Sequence, residues 1–245
     1  MILKVVNPNT TESMTRAIQA CARTAASPDT KIVAATSRNG PAAIESHYDE
    51  ALSVPGLLAE ITGGEQADGF VIACFGDPGL DAAREAAAGP VVGIAEAGMR
   101  AATYLARSFS VVTTLARTSG RAWELADRYG VRGHCRSVRA CDIPVLDLET
   151  DPAARARILR ECRAALDEDG AEAVVLGCAG MADLATSLRA ELGVPVVDGV
   201  AAAVAAVEGL VRIGLTTSRA GEYAAPSPKP YIGALASLEV RNGSA

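Results

Sequence analysis

Cys74 and Cys178 occupy matching places in an internal repeat. The segment Ala67-Asp68-Gly69-Phe70-Val71-Ile72-Ala73-Cys74-Phe75-Gly76 aligns with Ala171-Glu172-Ala173-Val174-Val175-Leu176-Gly177-Cys178-Ala179-Gly180 at an offset of 104 residues. Pro90-Val91-Val92 matches Pro195-Val196-Val197 at 105, and Lys4-Val5-Val6-Asn7 parallels Ser110-Val111-Val112-Thr113 at 106. Each cysteine follows an apolar run of strand length, which puts it at the carboxyl end of a strand, where α/β sheets open their crevices. Two thiols at equivalent points of two halves can face each other across one substrate carbon. A thiolate on one face removes a proton, the thiol on the other face returns one, and the roles swap for the opposite handedness. A cysteine ordinarily titrates near pH 8.5, so modest lowering allows one thiolate and one thiol near neutrality. Helix N-termini after both strands are expected to provide that lowering. The carbanion needs its charge spread into an adjacent carbonyl, and the backbone N–H groups of Phe75-Gly76 and Ala179-Gly180 are the expected donors to that oxygen. A single cysteine at a strand end is ordinarily core filling; the matched pair is what points to chemistry.

Other candidates lie around this pair. Asn7-Pro8-Asn9-Thr10-Thr11 follows the first strand and reads either as a turn with an N-cap or as a source of substrate hydrogen bonds from Asn7 and Thr10. Thr113 and Thr114 hold the equivalent place in the second half. The stretch from Gly40 to Glu50 is a loop entering a helix, chiefly a capping segment, with Ile44 or His47 bordering the pocket. Asp77 and Glu96 lie near strand ends, where a lone carboxylate is more often a cap than a base. Cys21, Cys135, Cys141 and Cys162 have no matched partner and are taken as structural; Cys135 and Cys141 lack the spacing of a zinc knuckle. No G-x-G-x-x-G or G-x-x-x-x-G-K-[ST] motif occurs, and the only histidines are His47 and His134, so no metal and no nucleotide cofactor are expected.

The elements that must position these residues alternate along the chain. Strand-length apolar runs cover Met1 to Val6, Lys31 to Ala35, Gly69 to Ala73, Val91 to Ile94, Phe109 to Thr113, Ala173 to Leu176 and Val194 to Val197. Helical spacing covers Thr11 to Ala25, Ala95 to Arg107, Ser119 to Tyr129, Pro152 to Asp169 and Gly199 to Ile213. The expected fold is α/β, with two pseudo-symmetric, doubly wound parallel-sheet lobes, residues 1–105 and 106–213, and the active site in the cleft between them. Residues 214–245, with Pro226, Pro228 and Pro230 at alternate positions, read as an extended C-terminal arm lying on the first lobe.

Composition narrows the partners. The chain is 49% apolar but only 4% aromatic, so Ala, Val and Leu must build the core of helices on buried strands. A net charge of -6 gives no drive toward nucleic acid or anionic lipid. No apolar run reaches the ~20 residues that span a bilayer, and no export signal precedes the first strand. A cytoplasmic location with six reduced thiols is the expectation.

With those residues in place, the sequence resembles the hydantoin and allantoin racemases of the aspartate/glutamate racemase superfamily. The likeness covers nearly the whole chain, through Val6 to Thr11, Gly40 to Glu50, Phe70 to Gly79, Val111 to Thr114, Gly177-Cys178-Ala179-Gly180-Met181 and Pro228-Lys229-Pro230-Tyr231. It implies that Cys74 and Cys178 are the catalytic pair and that the enzyme is a cofactor-free homo-oligomer; the substrate contacts expected from the residues themselves are Asn7, Thr10, Ile44, Phe75, Gly76, Thr113, Thr114, Ala179 and Gly180. Amino-acid racemases of the wider superfamily tend to carry Cys-Asn-Thr and Cys-Thr-His. Here the sequences are Cys74-Phe75-Gly76 and Cys178-Ala179-Gly180, which favours a flat ring such as a 5-substituted hydantoin over a free amino acid. The alternatives are an aspartate/glutamate-type racemase, a cis-trans isomerase or decarboxylase of the same superfamily, and a small-ligand-binding protein without turnover.

Overall fold

The computed structural model of the 245-residue chain describes residues 1–240. Eight strands, β1 (Ile2–Asn7), β2 (Lys31–Thr36), β3 (Gly69–Ile72), β4 (Val91–Gly93), β5 (Phe109–Thr113), β6 (Cys135–Ala140), β7 (Ala173–Gly177) and β8 (Val196–Asp198), form two four-stranded sheets. Their orders, β2-β1-β3-β4 and β6-β5-β7-β8, are the same pattern repeated, and every pairing is parallel. β3 and β7 are buried at every residue, as strands covered on both faces by helices must be, and this is why Phe70-Val71-Ile72 and Val174-Val175-Leu176 read as continuous apolar runs.

Among the described residues, eight α-helices surround the sheets: α1 (Glu12–Ala25), α2 (His47–Thr62), α3 (Leu80–Ala86), α4 (Ile94–Leu105), α5 (Ser119–Arg128), α6 (Ala154–Asp167), α7 (Ala185–Leu192) and α8 (Gly199–Arg212). α4 and α8 pack against each other, and each also reaches the other sheet: α4 covers β7 and β8, while α8 covers β3 and β4. Small residues permit the approach. A methyl on Gly69 would lie 2.3 Å from a Val207 methyl, and one on Gly199 would lie 2.5 Å from the Ile94 carbonyl oxygen. One buried cluster therefore runs from Leu3 and Val71 through Met99 to Val175 and Val204, joining the two sheets.

β6 has no counterpart among the expected strands, because Cys135-Arg136-Ser137-Val138-Arg139-Ala140 is an edge strand whose outward residues are polar. Arg139 pairs there with Asp169 at 2.5 Å and Glu168 at 2.6 Å. The arm after α8 lies along α3, with the Thr216 hydroxyl donating to the Ala88 carbonyl (3.4 Å) and the Tyr223 hydroxyl to Asp81 (3.1 Å). A short 3₁₀ stretch, Gly233–Leu238, ends against α2.

Candidate active site

Each cysteine sits in the same turn. The Asp77 N–H closes on the Cys74 carbonyl at 3.0 Å just beyond β3, and the Met181 N–H closes on the Cys178 carbonyl at 3.1 Å just beyond β7. Both half-buried side chains line one cavity of about 120 Å³ between the two halves. Ile44, Phe75, Gly76, Thr113, Thr114 and Ala179 line it as well, and His47 stands at its border. Gly180 lies just behind the wall, with its Cα hydrogen facing Leu148, Met14 and the Cys178 sulfur.

Two expected contacts go elsewhere. Asn7 is 1% exposed; its amide donates to the Asn9 Oδ1 (2.8 Å) and Thr15 Oγ1 (3.0 Å), and its own Oδ1 accepts from the Asn9 N–H (3.2 Å). It therefore holds Asn9, and Asn9 is the residue that lines the cavity. Thr10 turns away, its N–H (3.0 Å) and hydroxyl (3.4 Å) both donating to the Pro41 carbonyl. The reason is local: Asn7 is the last residue of β1, so its side chain is locked into the start of α1 while the chain beyond it opens to the cleft.

The thiols are not lowered. Burial pushes Cys74 up to about 12, offset by the Gly76 N–H and reinforced by the nearby Cys178, Asp77 and Glu50. Burial likewise pushes Cys178 up to about 12, offset by the Gly180 N–H and reinforced by Cys141 and Glu45. The expected helix N-termini are not adjacent: α3 starts only at Leu80, and after Cys178 the chain runs through a 3₁₀ stretch, Ala179–Leu184, before α7 begins. The Gly76 and Gly180 amides lie near the two sulfurs, where they favour the thiolate.

Asp77 and Glu96 have structural work. The Asp77 carboxylate, 2% exposed, accepts from the Ala95 N–H (3.1 Å), the Glu96 N–H (2.9 Å) and the Tyr129 hydroxyl (2.5 Å), and so caps α4 from a distance. Burial raises it to about 6, against the pull of those three donors. Glu96 is held by Arg84 at 2.6 Å and Arg100 at 3.2 Å. His134 is remote, its Nδ1 lying 3.0 Å from the Arg107 carbonyl oxygen.

Besides Asn9, the cavity-lining residues that sequence reasoning missed include Met14, Ser46, Glu50, Arg117, Thr118, Arg121, Ala122 and Val145. Arg121, on α5, donates to Glu50 on α2 (2.6 Å) and to the Gly76 carbonyl (3.0 Å). The Val145 N–H donates to Glu45 at 2.7 Å, tying the loops of the two halves together beside the cavity. Cys135, Cys141 and Cys162 are buried, and the Cys21 thiol donates to Asp198 at 2.9 Å. Among the described residues, no cluster of His, Cys, Asp and Glu could hold a metal ion.

Residues 3–207 match the family model described as Asp/Glu/Hydantoin racemase. The chain belongs to that family of racemases. Within it, the chain is 51% identical over 238 residues to a hydantoin racemase of Pseudomonas sp. (strain NS671), covering 96% of each. It is 48% identical to a hydantoin racemase of Rhizobium meliloti, over 95% of this chain and 98% of that one. The structure of an allantoin racemase from Klebsiella pneumoniae superposes with a TM-score of 0.96 at 50% identity, covering 98% of this chain and 99% of that one. Membership fits the two repeated α/β halves with one cysteine at the end of the third strand of each. No helix among the described residues is long and apolar enough to cross a membrane.

Proposed function

We propose that this racemase acts on a small cyclic ureide, a 5-substituted hydantoin or allantoin, by proton transfer between Cys74, Cys178 and the ring carbon C5. The observation that carries the reading is the pair of sulfurs lining one small cavity from two equivalent turns. One thiolate takes the C5 proton, and the C–H bonding pair moves into the neighbouring ring carbonyl as an enolate. The opposite thiol then gives its proton to the other face of C5, leaving the roles reversed for the next substrate. Atoms and charge balance without a cofactor.

The substrate class follows from what surrounds the sulfurs. Phe75, Gly76 and Ala179 offer an apolar wall and room for a flat ring, while Asn9, Thr113, Thr114 and Thr118 supply neutral hydrogen-bonding groups for ring carbonyls and N–H groups. A cavity of about 120 Å³ suits one five-membered ring with a short substituent. The same reading takes the protein to be a cytoplasmic homo-oligomer, as the family likeness implies; sedimentation of the purified protein checks the assembly.

The test is incubation of single enantiomers of 5-substituted hydantoins and of allantoin in deuterium oxide, following optical rotation and deuterium at C5. Wild type racemises and labels one of them. Cys74→Ser and Cys178→Ser each abolish racemisation. Near-normal racemisation by either variant would overturn the two-thiol mechanism, and no turnover of any cyclic ureide would overturn the substrate class.

A further inference from the structure

The two thiols stand in unlike surroundings. Around Gly76, beside Cys74, charged groups gather: Arg121 donates to its carbonyl (3.0 Å), and a Glu50 carboxylate oxygen lies 3.5 Å from where a Gly76 Cβ would be. Arg121 and Glu50 are joined at 2.6 Å, and both are largely covered. At Gly180, the equivalent glycine beside Cys178, the same space is filled by the Leu148 and Met14 side chains, 3.0 and 3.4 Å from a Cβ position. Arg121 belongs to the second half and Glu50 to the first, so the pair also bridges the cleft next to one sulfur only.

We infer that Arg121 is a positioning residue for Cys74, acting through the Gly76 peptide and through Glu50, whose charge it cancels, and that Cys178 has no counterpart. The inference rests on the two-thiol reading above. Cys178, Asp77 and Glu50 oppose ionisation of Cys74, and Cys141 and Glu45 oppose that of Cys178; His47, Arg117 and Arg121 line the same cavity. Burial raises Glu50 from its ordinary value while Arg121, and after it His47, pull it down, so the guanidinium sits where it offsets the carboxylate's charge. Without Arg121, Glu50's charge beside Cys74 is no longer offset by its ion-pair partner, which disfavours the thiolate, and the Gly76 carbonyl loses its donor. Without Glu50, an unpaired guanidinium remains and favours the thiolate.

That opposition of sign separates the inference from a purely structural role, because a strut loses the same thing whichever end is cut. The experiment is iodoacetamide alkylation of the folded protein at pH 8.5, with the rate at each cysteine read by peptide mass spectrometry. The proteins compared are wild type, Arg121→Gln, Arg121→Lys and Glu50→Gln. Arg121→Gln is expected to slow Cys74 about tenfold, as one pH unit in its titration would. Arg121→Lys recovers part of the loss, Glu50→Gln speeds Cys74 several-fold, and Cys178 stays within about twofold throughout. Changes at Cys74 in the same direction for Arg121→Gln and Glu50→Gln, or equal changes at Cys178, overturn the inference and leave the two-thiol mechanism standing. Wild-type protein in which neither thiol reacts until unfolded overturns both.

Discussion

Replacing Gly93 by alanine should cost this protein about 4 kcal/mol, for a reason that lies in space and not in backbone strain. Gly93 has φ −87°, which any residue adopts. A Cβ there would fall 2.2 Å from the Asp77 Cγ and Oδ1 and 2.5 Å from its Oδ2, far inside a carbon–oxygen contact. The carboxylate must therefore leave, and it is the acceptor for the Ala95 and Glu96 N–H groups and the Tyr129 hydroxyl. Buried donors left without partners cost roughly 1–3 kcal/mol each, and breaking a buried charged network costs about 3–5 kcal/mol in all. In a chain of this length that lowers the melting temperature by about 10 °C. Gly209→Ala is the control, a helix-interior glycine with nothing within 4 Å of its Cβ position, where alanine should stabilise by up to about 1 kcal/mol. The repeat supplies a rescue. The residue equivalent to Gly93 in the second half is Asp198, which caps α8 through the Val200 (3.2 Å) and Ala201 (2.8 Å) N–H groups. Gly93→Asp combined with Asp77→Ala should therefore be more stable than the sum of the two single changes by several kcal/mol. Calorimetry checks all of these; Gly93→Ala melting within 2 °C of wild type, or strict additivity in the double variant, would refute the reasoning.

Asp77 also sets a pH dependence of stability. Its native value, raised from 3.8 to about 6, means that the folded state binds the proton more tightly than the unfolded chain. The associated stability is complete below about pH 4 and is lost as pH rises through 6, amounting to about 3 kcal/mol. Urea unfolding of wild type minus Asp77→Asn from pH 4 to pH 7.5 should fall by that order; a difference that is flat or rises with pH would contradict the assignment. Activity should run the other way. With both thiols near 12, the reactive thiolate grows about tenfold per pH unit below that value, so kcat/KM should climb between pH 7 and pH 9. A plateau across that range would mean a thiol with a depressed pKa in the free enzyme.

What the sequence carried, it carried through burial on two faces and through repetition. β1, β3, β5 and β7 are buried along almost their whole length, so their runs of Val, Ile and Leu stand out, and the cysteines at the ends of β3 and β7 fall in register. Edge strand β6 was hidden because Arg136, Ser137 and Arg139 face solvent or the ion pairs beyond it. Asn7 and Asn9 are chemically alike, and only the packing of Asn7 against Thr15 decides which of them reaches the cavity. Arg121 and Glu50 are 71 residues apart on helices with other faces to bury. No local signal marks them, since the Gly76 carbonyl and Glu50 become Arg121's partners only once the two halves are packed together. No helix dipole lowers the thiols, because no helix begins directly after either strand; the chain turns through several residues first.

The unequal surroundings of Cys74 and Cys178 bear on what a racemase can and cannot tune. Enantiomers that differ at one stereocentre have equal free energy, so kcat/KM must be the same in both directions whatever each thiol's environment. Charge beside Cys74 therefore cannot make the enzyme favour one hand of its substrate. In the proposed two-thiol mechanism it can only decide which sulfur holds the proton in the resting enzyme, and so how each direction divides its kcat/KM between kcat and KM. The repeated fold brings two sulfurs to one cavity; departures from the repeat at Gly76 and Gly180, and at Gly93 and Asp198, are where the surroundings of the halves differ. Reaction rates summed over both directions are blind to such a division, whereas measurements made thiol by thiol are not.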